Sequence, residues 1–210
     1  MRSQTACVAL LCGSVLLSSC ASRSLSEHQC LAGDWQTVGE RDGAHGLPAT
    51  HVLVHQNACG RHQIVPDSGA YREGWARGVR RFCTADNGYQ LGLSGRANPN
   101  VCPDSLMTAH QQAYFDGREL YLARAEVRRL EAQIDRMETR RGKIDTEILA
   151  SAAAQADPSL SPTDRLALVE RTRTLLAERE SLDAELPVLR RALDSAYDEL
   201  DDIEQAVALR

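Results

Sequence analysis

The last ninety residues of the chain carry a regular alternation of apolar positions. Apolar side chains recur at spacings of three and four along two runs, which is typical of helices that bury one stripe against a partner helix. The first run is Leu120, Ala123, Val127, Leu130, Ile134, Met137, Arg141, Ile144 and Ile148. The second run is Leu168, Thr172, Leu175, Arg179, Leu182, Leu186, Leu189, Leu193, Ala196, Leu200, Ile203 and Val207. Each run predicts one long helix.

Residues 156–164 lie between the two runs and predict a turn. Pro158 and Pro162 cannot continue the first helix, and Ser161 before Pro162 favours the start of the second. Residues 118–210 therefore predict a long antiparallel coiled-coil helical hairpin. Pro187 removes one backbone donor inside the second helix, so we expect a kink near residues 185–189. Interleaved arginines and acids favour a solvated outer face, although self-association through part of the apolar stripe stays open.

Residues 1–19 predict an export signal. Arg2 precedes a largely apolar stretch over residues 6–17, which is too short to cross a bilayer because a spanning helix needs about 20 residues. Leu17-Ser18-Ser19-Cys20 resembles the lipobox of bacterial lipoproteins, which implies cleavage before Cys20 and its acylation. Ala21, where some lipoproteins carry the Asp that retains them in the inner membrane, implies an outer-membrane anchor facing the periplasm. An ordinary secretory signal with a chance cysteine is the alternative.

The middle of the chain has a different composition. Aromatic residues make up only 4% of the sequence, and most of them precede residue 117, as do all six histidines and most glycines. We expect residues 20–29 to be a tether and residues 30–117 to form a small glycine-rich helical module, with helices over residues 47–58, 67–82 and 105–122. Asp42-Gly43 and Asn87-Gly88 are turn dipeptides, but glycines three or four apart on a helix also let another backbone approach closely.

Four cysteines remain after the signal and the lipidated residue. They are Cys30, Cys59, Cys83 and Cys102. In an oxidising periplasm they predict two disulfides with three possible pairings, and sequential pairing is favoured because it closes the shortest loops.

Several glycine and aromatic spacings in this module resemble a known family. They are Trp35-x3-Gly39-x2-Asp42-Gly43, Tyr71-x2-Gly74-x3-Gly78, Val101-Cys102-Pro103 and Tyr114-x2-Gly117. Together they resemble the domain-of-unknown-function family numbered 2799 of bacterial envelope lipoproteins, over about residues 30–122. Residues 96–100 and Ala113 depart from it, since family members usually carry aromatic residues there. The resemblance implies an envelope protein and transfers no activity.

Candidate chemistry is confined to a histidine-rich segment. His51, His55, Cys59 and His62 would share one face of a helix, and imidazole with thiolate suits zinc or copper. We nevertheless expect no metal and no cofactor, because Cys59 is better explained as half of a disulfide.

Two function classes can be set aside from the sequence. No serine or cysteine has the context of a catalytic nucleophile, so no enzyme is expected. The net charge of −5, with no basic segment, argues against nucleic acid as a partner. The sequence predicts an outer-membrane-anchored lipoprotein with a structural or protein-interaction role, in which the hairpin contacts an envelope protein. A small-ligand or metal-binding module using the His51, His55 and His62 face is the alternative.

Overall fold

Helix caps and breakers divide residues 25–209, the part of the chain that the computed structural model describes, into seven α-helices without a strand. They are α1 (Glu27–Ala32), α2 (Trp35–Ala44), α3 (Val52–Gly60), α4 (Ser68–Phe82), α5 (Ala85–Leu93), α6 (Asp104–Gln155) and α7 (Pro162–Ala208), with a 3-10 turn at Ala49–His51. The mainly helical fold class is confirmed. The export signal and Cys20 lie outside the described residues.

Polar side chains set the beginnings of most helices. Asp34, Asp67, Thr84 and Ser161 each accept a hydrogen bond from a backbone N–H in the first turn of the helix that follows. These bonds satisfy donors that a helix cannot satisfy internally.

The first half of the module is held together by glycines. Gly39 and Gly43 on α2 face the carbonyl oxygens of Tyr71 and Trp75 on α4, and a Cβ at either glycine would overlap those oxygens. Gly78 on α4 faces α2 in the same way. The two backbones therefore touch directly, as glycine alone permits.

Asp42-Gly43 and Asn87-Gly88 both lie inside helices, so the turn interpretation is wrong and the close-approach interpretation is confirmed. These glycines allow two helices to pack closely. Positive φ is instead found at Gly33, Gly46 and Gly95, which follow the ends of α1, α2 and α5.

The second half repeats the plan of the first. Gly39, Gly43 and Gly46 have the same spacing as Gly88, Gly92 and Gly95. Gly88 and Gly92 on α5 contact the carbonyl oxygens of His110 and Tyr114 on α6, as Gly39 and Gly43 contact those of Tyr71 and Trp75.

Two further contacts follow the same correspondence. The indole of Trp75 donates to the Leu47 carbonyl at 2.7 Å, and the Tyr114 hydroxyl donates to the Arg96 carbonyl at 3.1 Å. The glycine after each first helix, Gly46 or Gly95, packs against an aromatic ring. Residues 34–122 are thus two copies of one helix-pair arrangement.

One disulfide belongs to each half. Cys30 is joined to Cys59 with Cα atoms 5.5 Å apart, and Cys83 is joined to Cys102 with Cα atoms 5.6 Å apart. In each half, the bridge joins a cysteine before the first helix of the pair to a cysteine in the segment before the second helix. This is the sequential pairing favoured from the sequence. Cys30, Cys59, Cys83 and Cys102 are all buried.

The predicted tether over residues 20–29 overlaps the folded module. Leu25 is buried in the same apolar cluster as Trp35 and Tyr71, and α1 begins at Glu27. Ser26 and Gln29 form a reciprocal capping box that fixes this entry. At least residues 25–29 therefore belong to the folded module.

The predicted boundary at residues 117 and 118 is not a break in the chain. Helix α6 runs for 52 residues from Asp104, so the second half of the module and the first arm of the hairpin share one helix. Gly117 packs against α5, and Leu120 three residues later is already buried as the first position of the apolar stripe. One continuous helix therefore joins the module to the arm.

Helices α6 and α7 lie antiparallel. Arg124 pairs with Glu204 at 2.7 Å, Arg140 with Glu178 at 2.7 Å, and the Ser151 and Thr172 hydroxyls lie 2.7 Å apart. Residues 156–161 form the turn between them, and α7 begins at Pro162, inside the turn predicted over residues 156–164.

The charged positions of the apolar stripe also have partners across the pair. Arg141 lies 3.2 Å from Asp183 and Arg179 lies 2.7 Å from Asp145, so each arginine is neutralised by the opposite helix. Helix α7 continues through Pro187, and a bend there stays a prediction. None of the helices within residues 25–209 is long and apolar enough to cross a membrane.

Candidate functional site

A buried polar cluster lies where α2, α3 and α4 meet. Asp42 on α2 is 3% exposed, and its Oδ2 accepts hydrogen bonds from Nε2 of His55 at 2.6 Å and from the Tyr71 hydroxyl at 3.0 Å. His55 and Tyr71 are fully buried. The guanidinium of Arg41 lies 3.4 Å from the other carboxylate oxygen. An acid, an imidazole and a phenol thus share one enclosed site.

The protonation states in this cluster follow from these contacts. Burial favours the neutral acid, but hydrogen bonds from His55 and Tyr71 and the nearby positive charge outweigh it, so the pKa of Asp42 lies below its usual value. Burial, the charge of Asp42 and the hydrogen bond to it raise the pKa of Tyr71. The carboxylate is therefore ionised and the phenol protonated at neutral pH.

Two ring nitrogens beside this network are buried without a hydrogen-bond partner. They are Nδ1 of His55 and Nε2 of His51, whose rings meet edge to face with centroids 4.9 Å apart. An ionised Asp42 can only accept, so Nε2 of His55 is the nitrogen that donates to it. Asp42, His51 and His55 each offer one possible ligand atom within 4.8 Å of the others.

The structure retains only part of the histidine face expected from the sequence. His51 and His55 lie together, but Cys59 is bonded to Cys30, and Nδ1 of His62 instead lies 3.5 Å from Glu27. Sequence reasoning missed Asp42 and Tyr71 because helix spacing relates residues on one helix only. The available signal was Asp42 itself, because it is a charged residue among the glycines of a helix-packing face.

The second half of the module shows what this position holds without such a cluster. The backbone N–H of Leu47 donates to the Asp42 carbonyl, and that of Arg96 donates to the Leu91 carbonyl, so Leu91 is the counterpart of Asp42. Leu91 is buried among apolar residues. The helix-pair arrangement therefore does not need a carboxylate here, and the cluster is an addition to a shared scaffold.

Acid is expected to destabilise the module through Asp42. Its folded pKa lies below the unfolded value of about 3.9, so its stabilising contribution is complete above that pH and is lost as the pH falls through the folded pKa. Both tryptophans of the chain lie in the module, so their fluorescence during urea unfolding at several pH values reports its stability. An Asp42→Asn variant should lack this part of the acid dependence. An unchanged slope in that variant would assign the effect to other acids.

Comparison with known proteins supplies one match. Residues 34–119 match the family described as a protein of unknown function, DUF2799, which confirms the resemblance seen in the sequence. No match to the chain was found among curated proteins or among solved structures. The matched range covers both helix pairs and includes Asp42, His51, His55 and Tyr71.

Proposed function

We propose, from the premise that residues 34–119 belong to the DUF2799 family, that the chain is a lipid-anchored protein of the bacterial envelope with a structural or protein-interaction role and no catalytic activity. Cys20 would carry the lipid on the periplasmic side of the outer membrane. The paired helices α6 and α7 would form the interaction arm. The single observation that carries this proposal is the length of that arm, which extends from a small disulfide-bonded module.

The start of the folded module supports an anchor close to it. Cys20 precedes the buried Leu25 by only five residues, which span at most about 18 Å when fully extended. Acyl chains on Cys20 would therefore hold the module against the leaflet. Substituting Cys20 by Ser should abolish labelling with radioactive palmitate and release the chain from the membrane fraction, whereas substitution of Cys12 should change neither.

The burial pattern of the arm supports a coiled coil. Leu120, Val127, Leu130, Ile134 and Ile144 on α6 are buried, as are Leu175, Leu186 and Ala196 on α7, and all belong to the predicted apolar stripes. With 47 residues in α7, the arm is about 70 Å long. This length gives an extended surface that reaches well away from an anchored module.

Apolar side chains near the far end of the arm supply a surface for a partner. Leu166 is 71% exposed, Leu176 48% and Val169 43%, at spacings that place them on one side of α7. Leu166 and Val169 also line a groove of about 470 Å³ with Leu160 and Pro162. Exposed apolar groups grouped in this way are typical of protein contact sites. The partner expected here is an envelope protein that buries an apolar face against the tip.

Site-specific crosslinking tests this assignment. A photoreactive residue at position 160 should form one discrete crosslinked product in cells, and the double substitution Leu166→Glu with Val169→Glu should reduce it at least tenfold. The matched control is Val65→Glu, since Val65 is 77% exposed on the module and far along the chain from the arm. A product of twice the chain's own mass would show self-association instead. Equal crosslinking in both variants would contradict a tip surface.

A further inference from the structure

The unpaired nitrogens of His51 and His55 lie beside the buried carboxylate of Asp42. We propose that Asp42, His51 and His55 together bind one divalent transition-metal ion of the zinc and copper class. This site differs from the histidine face suggested by the sequence, since Asp42 takes the place of His62. It does not depend on the lipid anchor or on the arm.

Both histidines have a nitrogen that is buried without a hydrogen bond. Burying a polar atom in this way costs about 1–3 kcal/mol, and the two nitrogens lie side by side here. Nε2 of His55 and Oδ2 of Asp42 lie 2.6 Å apart and share one proton. A metal ion can take the place of that proton, because its ligands bind in deprotonated form. The ion would therefore lie between Asp42 and His55, and a nitrogen of His51 would supply the third ligand atom.

The ligand types and the spacing of the cluster also suit an ion of this class. Two imidazoles with one carboxylate suit zinc and copper better than calcium or magnesium, which prefer sites made of oxygen atoms. One ligand atom from each residue already lies within 4.8 Å of the others. Tetrahedral zinc with bonds of about 2.1 Å places its ligand atoms about 3.4 Å apart, so the most distant pair would close by up to about 1.4 Å. His51 is only partly buried on the 3-10 turn, which gives the ion a route inward.

The other half of the module has a buried histidine but no such set of ligands. His110 corresponds to Tyr71 and is also fully buried, with Nδ1 3.0 Å from the Thr84 carbonyl and Nε2 unpaired. No second ligand joins it, because the counterpart of Asp42 is Leu91. A lone unpaired nitrogen is thus compatible with the fold. Convergence of three ligands is found in the first half alone among residues 25–209.

Isothermal titration with zinc chloride tests the site on the full chain, purified in detergent without a histidine tag. One equivalent of zinc per chain is expected. His51→Ala should weaken its affinity at least tenfold, whereas His62→Ala should leave it unchanged. His62 is the matched control because its side chain is 33% exposed and lies outside the cluster, so it reports adventitious binding by surface imidazoles.

Thermal unfolding gives a second measurement that does not depend on counting bound ions. Zinc should raise the melting temperature followed by tryptophan fluorescence in the parent chain and in His62→Ala, and should not raise it in His51→Ala. Circular dichroism of the unbound variants would establish that both are folded. Equal zinc affinity in the two variants, or no binding by the parent chain, would overturn the proposal.

Discussion

Replacing Gly78 by alanine is expected to destabilise the module by about 3 kcal/mol or more. A Cβ at this position would overlap the carbonyl oxygen of Glu40 and crowd the backbone N of Ala44 on α2. Because these are backbone atoms, the clash cannot be relieved by rotating a side chain. Forcing extra atoms into a packed contact typically costs 1–3 kcal/mol, and a direct helix-on-helix contact lies at the upper end.

Gly142 offers a matched control with the opposite sign. It lies on α6, and a Cβ there would meet nothing within 4 Å. Alanine is favoured over glycine inside a helix by about 1 kcal/mol, so Gly142→Ala should stabilise the arm slightly. The same substitution is thus expected to destabilise the contact between α2 and α4 and to stabilise α6.

Tryptophan fluorescence separates the two effects. Trp35 and Trp75 both lie in the α2 and α4 pair, whereas the arm has no tryptophan. Urea unfolding should show the fluorescence transition of Gly78→Ala at much lower urea, with no such shift for Gly142→Ala. If the two variants unfolded together, the glycine contact would not be what holds α2 against α4.

These glycines also show how far sequence reasoning reaches. The apolar stripes of α6 and α7 could be predicted because each stripe is a continuous face buried against the other helix. The short helices α2 and α5 could not, since their contacts depend on glycine rather than on apolar side chains. The repeated spacing of Gly39, Gly43 and Gly46 in Gly88, Gly92 and Gly95 was the available signal. This spacing indicates a helix-packing face only when the two sets of glycines are compared with each other.

The candidate site illustrates a different limit. His51 and His55 could be found because their spacing places them on one helical face. Asp42 and Tyr71 reach the same point from α2 and α4, 13 and 16 residues from His55 along the chain, through tertiary packing alone. The same packing moves His62 away to Glu27. The local sequence pattern therefore predicts His51 and His55, whereas Asp42 and Tyr71 can be placed only from the packing of the helix pair.

The largest change in stability expected at this cluster follows from the second half of the module, where Leu91 occupies the position of Asp42. Asp42→Ala should cost about 3–5 kcal/mol, because His55 and the Tyr71 hydroxyl would lose their shared acceptor while fully buried. The triple substitution Asp42→Leu, His55→Leu and Tyr71→Phe should instead stay within about 1–2 kcal/mol of the parent chain. It removes every partner of the network at once, and replacing all partners by apolar groups is often close to neutral.

Leu91 provides the structural precedent for this repacking, since it fills the position of Asp42 in the other helix pair. Urea unfolding followed by tryptophan fluorescence measures both variants, and Leu91→Ala serves as a reference for loss of apolar packing at the corresponding position. A triple variant as unstable as Asp42→Ala would mean that the fold itself requires the polar network. A stable triple variant that no longer takes up zinc would separate the two roles, because the scaffold would then persist without the residues proposed to bind the ion.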